Sequence, residues 1–266
     1  MNIFRSTTKL ALIALAMSAS VGAWAVPLTN PIVTGTHIVW GVVAPNTLAP
    51  VSSTPASIAT ALTGNAADPT GNVELSKFGG PVTTLSGDIA GNPIVLSSLV
   101  LSDWTVGGNA LATQYIQDAA MAAFGAPLNA VQFATALTNF YNLNVGGHKP
   151  WQLVSDPNIS YVYGDSSSVY IGLAGLLDAS PFLTAISGIP LPSGKQASEV
   201  VKVTYNGITD YRYGFSATPS GYHTTAFPLD QSYTGNYQVP LPGILWLFGA
   251  GLAGLLASRR RPLLVT

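Results

Sequence analysis

The chain has no cysteine. This excludes a disulfide framework, a cysteine–zinc site, a thiol nucleophile and a lipid anchor on a cysteine. Charge is scarce too: Asp, Glu, Lys and Arg make up 8% of 266 residues, against roughly 25% in an average soluble protein. The few charges are segregated. Arg5, Lys9, Arg259, Arg260 and Arg261 sit in the two end segments, while Val26 to Gln238 carries five cations against eleven carboxylates. Such a mildly acidic body lacks the basic stripe of a nucleic-acid binder. Low charge with 48% hydrophobic content also excludes ordinary disorder, which needs low hydrophobicity and high net charge.

Signatures of chemistry are missing as well. His37, His148 and His223 have no partners at metal-ligand spacing, and there is no H-E-x-x-H or G-x-S-x-G. The carboxylates are spread singly, without paired acids or a calcium loop. No catalytic, cofactor-binding or metal-ligating residue is therefore assigned. Gly249–Gly254 (GAGLAG) matches G-x-G-x-x-G but lies inside an apolar run near the end of the sequence, where small residues serve membrane-helix packing. Gly188–Lys195 (GIPLPSGK) has five residues between its glycines, and Gln196 where a phosphate loop needs Ser or Thr. A triad assembled across distance from His148 or His223, Asp165 and a serine leaves a secreted hydrolase open as an alternative. Tyr205, Tyr211, Tyr213, Tyr222, Tyr233 and Tyr237 could stack on sugar rings, though cross-strand pairing and core packing are the favoured roles. Asn158-Ile159-Ser160 fits a glycosylation sequon.

What is present is clearest at the ends. Arg5 and Lys9 precede the apolar core Leu10–Met17, and Ala23-Trp24-Ala25 puts small residues at −3 and −1 of a cut before Val26. That is the three-part layout of a secretory signal peptide over 1–25, too short to span a bilayer, and it names signal peptidase as a partner. At the other end, Val239-Pro240-Leu241-Pro242 leads into an apolar run, Gly243–Ala257, followed by Arg259-Arg260-Arg261. Counted from Val239 the apolar stretch is about 19 residues, enough for a single transmembrane helix at ~1.5 Å per residue. The arginines form a cytoplasmic stop, leaving the body outside the inner membrane.

Between the ends the pattern predicts a mainly β, antiparallel, sandwich-like domain over 26–216. Thr36–Val43 reads as a strand, Ser57–Leu62 as a helical turn, Thr63–Pro93 as a meander and Ile94–Trp104 as a long strand. The tetrapeptide Asn-Pro-Ile-Val occurs at Asn30–Val33 and Asn92–Val95; coincidence or two similar strand entries explain it better than a duplicated domain. Helical spacing over 109–124 and 128–142, split by a glycine stop, predicts a two-helix insertion around 109–142. Ile159–Tyr163 and Val169–Leu173 read as a hairpin, and Asp178–Lys195 as loop. Glu199–Tyr205 and Ile208–Phe215 flank Asn206-Gly207, the strongest short hairpin signal, since a type I′ turn needs positive φ at both centres. Residues 217–238 read as a stalk or final strand before the sorting segment 239–266.

The tail resembles the PEP-CTERM family of bacterial surface proteins. It has a short proline motif, a membrane helix containing Trp246-Leu247-Phe248 and glycines, and a terminal arginine cluster. Val239-Pro240-Leu241-Pro242 looks like a Val-Pro-Leu-Pro variant of the Pro-Glu-Pro motif. The resemblance implies recognition by an exosortase, transient residence in the inner membrane, removal of the tail, and release or attachment at the surface of a Gram-negative bacterium that makes exopolysaccharide. It carries no activity to the body. The expectation is a non-enzymatic, exported surface or matrix protein, glycosylated on Ser or Thr and associated with exopolysaccharide or biofilm. A carbohydrate-binding or adhesion module is the alternative from another class.

Overall fold

A computed structural model describes residues 25–76, 78–164, 168–224 and 235–242. The expected signal peptide up to Trp24, the apolar run 243–257, Arg259–Arg261, Asp165 and Tyr233 lie outside the described residues. Ala25, at the expected cut, is exposed just before the first strand.

In sequence order the first half contains β1 (Val26–Pro27), β2 (Thr29–Thr34), β3 (His37–Ala44), β4 (Thr47–Val51), α1 (Pro55–Ala61), β5 (Gly71–Leu75), β6 (Thr84–Ile89) and β7 (Asn92–Ser97). Helices α2 (Leu101–Phe124), α3 (Ala130–Asn142) and α4 (Pro150–Leu153) follow. The rest comprises β8 (Asn158–Gly164), β9 (Ser168–Leu176), α5 (Ser180–Ser187), β10 (Ala197–Ser198), β11 (Val201–Tyr205) and β12 (Ile208–Arg212). Three last strands are β13 (Thr218–Pro219), β14 (His223–Thr224) and β15 (Gly235–Pro242).

The strands form two antiparallel sheets, with one parallel pair, β14 on β4. The larger sheet runs β13-β15-β9-β8-β5-β3-β4-β14, with β1 added on β8 and β10 on β9; the smaller runs β12-β11-β7-β6-β2. Both Asn-Pro-Ile-Val segments open strands of the smaller sheet, on either side of β6. The inner faces share one core: Val73, Leu75, Ile159, Ile171 and Leu173 from the larger sheet, Leu85, Ile94, Leu96, Val201 and Val203 from the smaller, closed at one side by Ile58 and Leu62 from α1 and the residue after it. Strand alternation explains this, because every second residue faces inward.

A second core lies among α2, α3 and α5. Trp104, Leu111, Tyr115, Ile116, Phe140 and Ile186 are its buried members. Asn129 caps α3: its side chain accepts from the amides of Val131 and Gln132 at 3.1 and 3.0 Å, and the Gln132 side chain accepts in return from the Asn129 amide at 3.1 Å. Gly125, with φ +75°, stops α2, as the sequence predicts.

Several expectations are corrected. The two antiparallel sheets and the helical turn near 57–62 are as expected, but the fold is mixed α and β, with α4 and α5 beside the helices around 109–142. The expected strand Ile94–Trp104 ends at Ser97; α2 begins at Leu101, where Asp103 Oδ2 accepts from the Val100 amide at 3.0 Å. Inside α2, Val106–Asn109 leave helical geometry. The expected loop 178–195 contains α5, because Pro181 occupies a first-turn position where its missing N–H is harmless. Of the two readings of residues 217–238, a stalk or a final strand, the described residues favour the strand: they hold β13, β14 and the start of β15 within the larger sheet.

Candidate functional site

The residues read as a sorting motif form the end of a strand. β15 pairs with β9 in the register Val239↔Ile171, Pro240↔Tyr170, Leu241↔Val169 and Pro242↔Ser168. Tyr237, Val239 and Leu241 face the shared core and are buried. The Tyr237 ring lies over Gly175 and Gly214, and its hydroxyl donates to the Leu176 carbonyl at 2.5 Å. Gln238 and Pro240 alternate with them and are exposed. A proline has no N–H, so the ladder to β9 runs through Val239 and Leu241, and the prolines turn their missing donors to the other side. There β13 covers only Gly235 and Asn236. Among the described residues β15 is thus an edge strand from Tyr237 on, blunted by proline.

The outer face beside this strand is polar and aromatic. Pro27, Tyr163, Tyr170 and Pro240 form one row across β1, β8, β9 and β15, and Val26, Gly164, Val169 and Leu241 the next. Tyr163 and Tyr170 stack with centroids 5.0 Å apart at 23°, and Tyr161 stacks on Tyr163 at 5.7 Å and 26°. Tyr161 fits because Gly172 carries only hydrogen: a Cβ there would come within 2.2 Å of the ring. Burial first, and Tyr163 second, push the Tyr161 hydroxyl above the ordinary tyrosine range; burial does the same to Tyr237. Deeper in the same sheet, the Trp40 indole donates to Glu74 at 2.9 Å and both are buried.

The structure disperses the remaining candidates. His37 opens β3, with its ring against the Gly35 carbonyl at 2.9 Å and the Ser53 hydroxyl. His148 lies in the loop before α4, stacked on Phe78 at 3.6 Å. His223 is in β14 against β4. Asn158 of the sequon is buried, donating to Glu199 at 2.9 Å, so it is closed to glycan attachment. Gly188 is the left-handed residue that ends α5, a local reason for the glycine in GIPLPSGK. Of the tyrosines named for sugar stacking, Tyr237 is in the shared core, Tyr211 and Tyr213 pack against the helical core, and Tyr205 against the sheets. The Tyr161–Tyr163–Tyr170 ladder was not foreseen. Its signal was the alternation in ISYVY and VYIGL, which pairs Tyr163 with Tyr170 once the hairpin register is set.

One polar joint ties helix to sheet. Asp103 Oδ1 accepts from Lys202 Nζ at 2.8 Å and from the Tyr211 hydroxyl at 3.0 Å. Burial alone would raise the Asp103 pKa; Lys202, the Val100 amide and Tyr211 together hold it below the ordinary value. Burial, then the charge and hydrogen bond of Asp103, push Tyr211 up to about 12. Among the described residues no group of His, Cys, Asp and Glu could hold a metal ion, and no helix is long and apolar enough to cross a membrane.

The family model for the PEP-CTERM protein-sorting motif matches residues 238–261. The protein therefore carries that motif at its C-terminus, which implies an exported protein sorted to the cell surface and processed by an exosortase. No curated protein and no solved structure matches the sequence.

Proposed function

We propose that this is a non-enzymatic protein of a Gram-negative bacterium that reaches the cell surface or the exopolysaccharide matrix after both ends are processed. Signal peptidase removes 1–25, the tail helix holds the protein in the inner membrane transiently, and an exosortase removes that helix at the Val-Pro-Leu-Pro variant of the motif. The body from Val26 then acts as a structural component of the matrix, with glycans on Ser or Thr. The observation that carries the reading is the sorting-motif match at 238–261, placed directly behind a folded two-sheet body. The separate engagement of His37, His148 and His223 favours a non-enzymatic body. The test is fractionation and intact mass in strains with and without the exosortase. Shortened protein at the surface is expected only where the enzyme is present; full-length protein in the inner membrane of both strains would leave a plain single-span anchor in its place.

A second reading is a carbohydrate-binding or adhesion module. It is favoured by the row Pro27–Tyr163–Tyr170–Pro240, which offers apolar ring surface and tyrosine hydroxyls on one sheet face. Purified protein on a glycan array tests it: binding lost in Tyr163→Ala and Tyr170→Ala supports it, and no binding to any glycan sinks it.

A further inference from the structure

We propose that the free edge of β12 is a self-pairing site, at which two copies of the protein join antiparallel about Tyr211, independently of how the tail is processed. The five-stranded sheets of the two copies then run on as one.

The edge strands differ in how they are closed. Among the described residues the sheets end at β13, β14, β12 and β2, and β15 is uncovered from Tyr237 on. β2 carries Pro31 and a register break, β13 carries Pro219, and β15 carries Pro240 and Pro242. β14 is two residues long. β12 has five residues and no proline. Proline, bulges and shortness guard edges against strand addition, and β12 lacks all three.

The hairpin register shows which groups this edge offers. Tyr205 and Ile208 flank the two-residue turn and exchange both backbone bonds, as do Val203 with Asp210 and Val201 with Arg212. Thr209 and Tyr211 lie between these pairs, so their N–H and C=O groups point away from β11. Within one chain the Tyr211 N–H donates to Asp210 Oδ1 at 2.8 Å. Asp210 Oδ2 accepts from Arg212 Nη2, and Arg212 Nε has no hydrogen-bond partner.

Charge selects the occupant. In a two-fold pairing centred on Tyr211, the two Tyr211 residues exchange backbone bonds, and Asp210 of each copy stands opposite Arg212 of the other. Those are non-hydrogen-bonded positions, where facing residues come closest. Each ion pair within a chain is exchanged for a cross-strand pair, which stabilises a sheet. The Arg212 fork then meets a carboxylate that two of its donors can reach. The side chains of Arg212 and Asp210 are 28% and 44% exposed, so a second copy can engage both. A pairing centred on Asp210 sets carboxylate against carboxylate and is disfavoured.

The test is the mass in solution of the protein recovered from its producing strain, by light scattering over a concentration series, with backbone amide exchange read alongside. A mass rising from one chain to two is expected, with the Thr209 and Tyr211 amides exchanging more slowly as it rises. Asp210→Arg sets cation against cation and should hold the mass at one chain; adding Arg212→Asp should restore the pair. Thr209→Pro removes an outward N–H without touching the ladder to β11. It should also give single chains, and it decides the matter if the charge variants fail to fold. A parent that stays a single chain at every concentration overturns the proposal, and so does a two-chain mass that survives both Asp210→Arg and Thr209→Pro. A double exchange that folds and stays single overturns the pairing about Tyr211.

Discussion

The core between the sheets and the core among the helices are built from different side chains. The first is aliphatic and rich in β-branched residues, among them Val39, Val73, Ile94, Ile159, Ile171, Val201 and Val203. The second turns on rings. Trp104 meets Phe140 at 5.0 Å and Tyr115 at 5.9 Å, both edge-on, and Tyr213 meets Tyr115 at 5.0 Å. Pleated surfaces accept branched side chains, whereas widely spaced short helices leave gaps that large rings fill. The consequence is a difference in dependence on the tail. The helical core is complete by Phe215, while the sheet core draws Tyr237, Val239 and Leu241 from the last described strand. Removal of the tail can therefore disturb one core and leave the other whole.

Four substitutions test that contrast, in descending order of effect. Trp104→Ala should cost about 3–5 kcal/mol by opening a cavity among the rings and freeing the Ser155 hydroxyl it donates to. Urea unfolding followed by far-UV and near-UV circular dichroism reads it. The two signals should still fall together, because Asp103 of α2 binds Lys202 of β11 at 2.8 Å and ties the helices to the smaller sheet; separate transitions would make the cores independent units. Leu241→Ala should cost about 2–3 kcal/mol, at the lower end for a buried leucine because it lies in an edge strand. Near-UV signals from the helical rings should stay as in the parent, and their loss would show that the helical core also leans on the tail.

Asp103→Asn probes the joint between the regions and should cost about 1.5–3 kcal/mol at neutral pH, the worth of hydrogen bonds to a charged group. Its pH dependence has a definite sign. The folded-state pKa is lowered, so its contribution is full above the unfolded value of 3.8 and is lost as the pH falls through the lower folded value. The parent should lose stability on acidification that the Asn variant does not. On the alkaline side Tyr211, raised to about 12 from 10.0, contributes below 10.0 and ceases to do so as the pH climbs through its folded value; tyrosinate absorbance against pH measures it. Smallest is Gly207→Ala, at about 1–2 kcal/mol, since Gly207 has φ +76° in the β11–β12 turn and alanine is strained in a left-handed conformation. It should leave both cores intact.

Strands with a local turn code were legible. Asn206-Gly207 fixed the β11–β12 hairpin, with both residues at positive φ. The β6–β7 hairpin uses Ala90-Gly91, also both at positive φ, but alanine is not a turn residue and gave no signal. Ile94–Trp104 is an apolar-rich run interrupted by serines, which reads equally as strand or buried helix; what divides it is the Asp103 side chain bonded to the Val100 amide at the start of α2. Proline misled at Pro181, which starts α5 instead of marking a loop. The sorting motif was legible because its parts occur in a fixed order. Its seat in the sheet was not, because pairing with β9 spans about 70 residues of sequence and leaves no local trace.

The row Val26–Gly164–Val169–Leu241 has a geometric consequence. It brings Val26, which follows the expected signal-peptide cut, and Leu241 of the last described strand to the same end of one sheet, three strand spacings or about 14 Å apart. The two ends of the described body therefore lie side by side on one sheet, with only β8 and β9 between the strands that carry them.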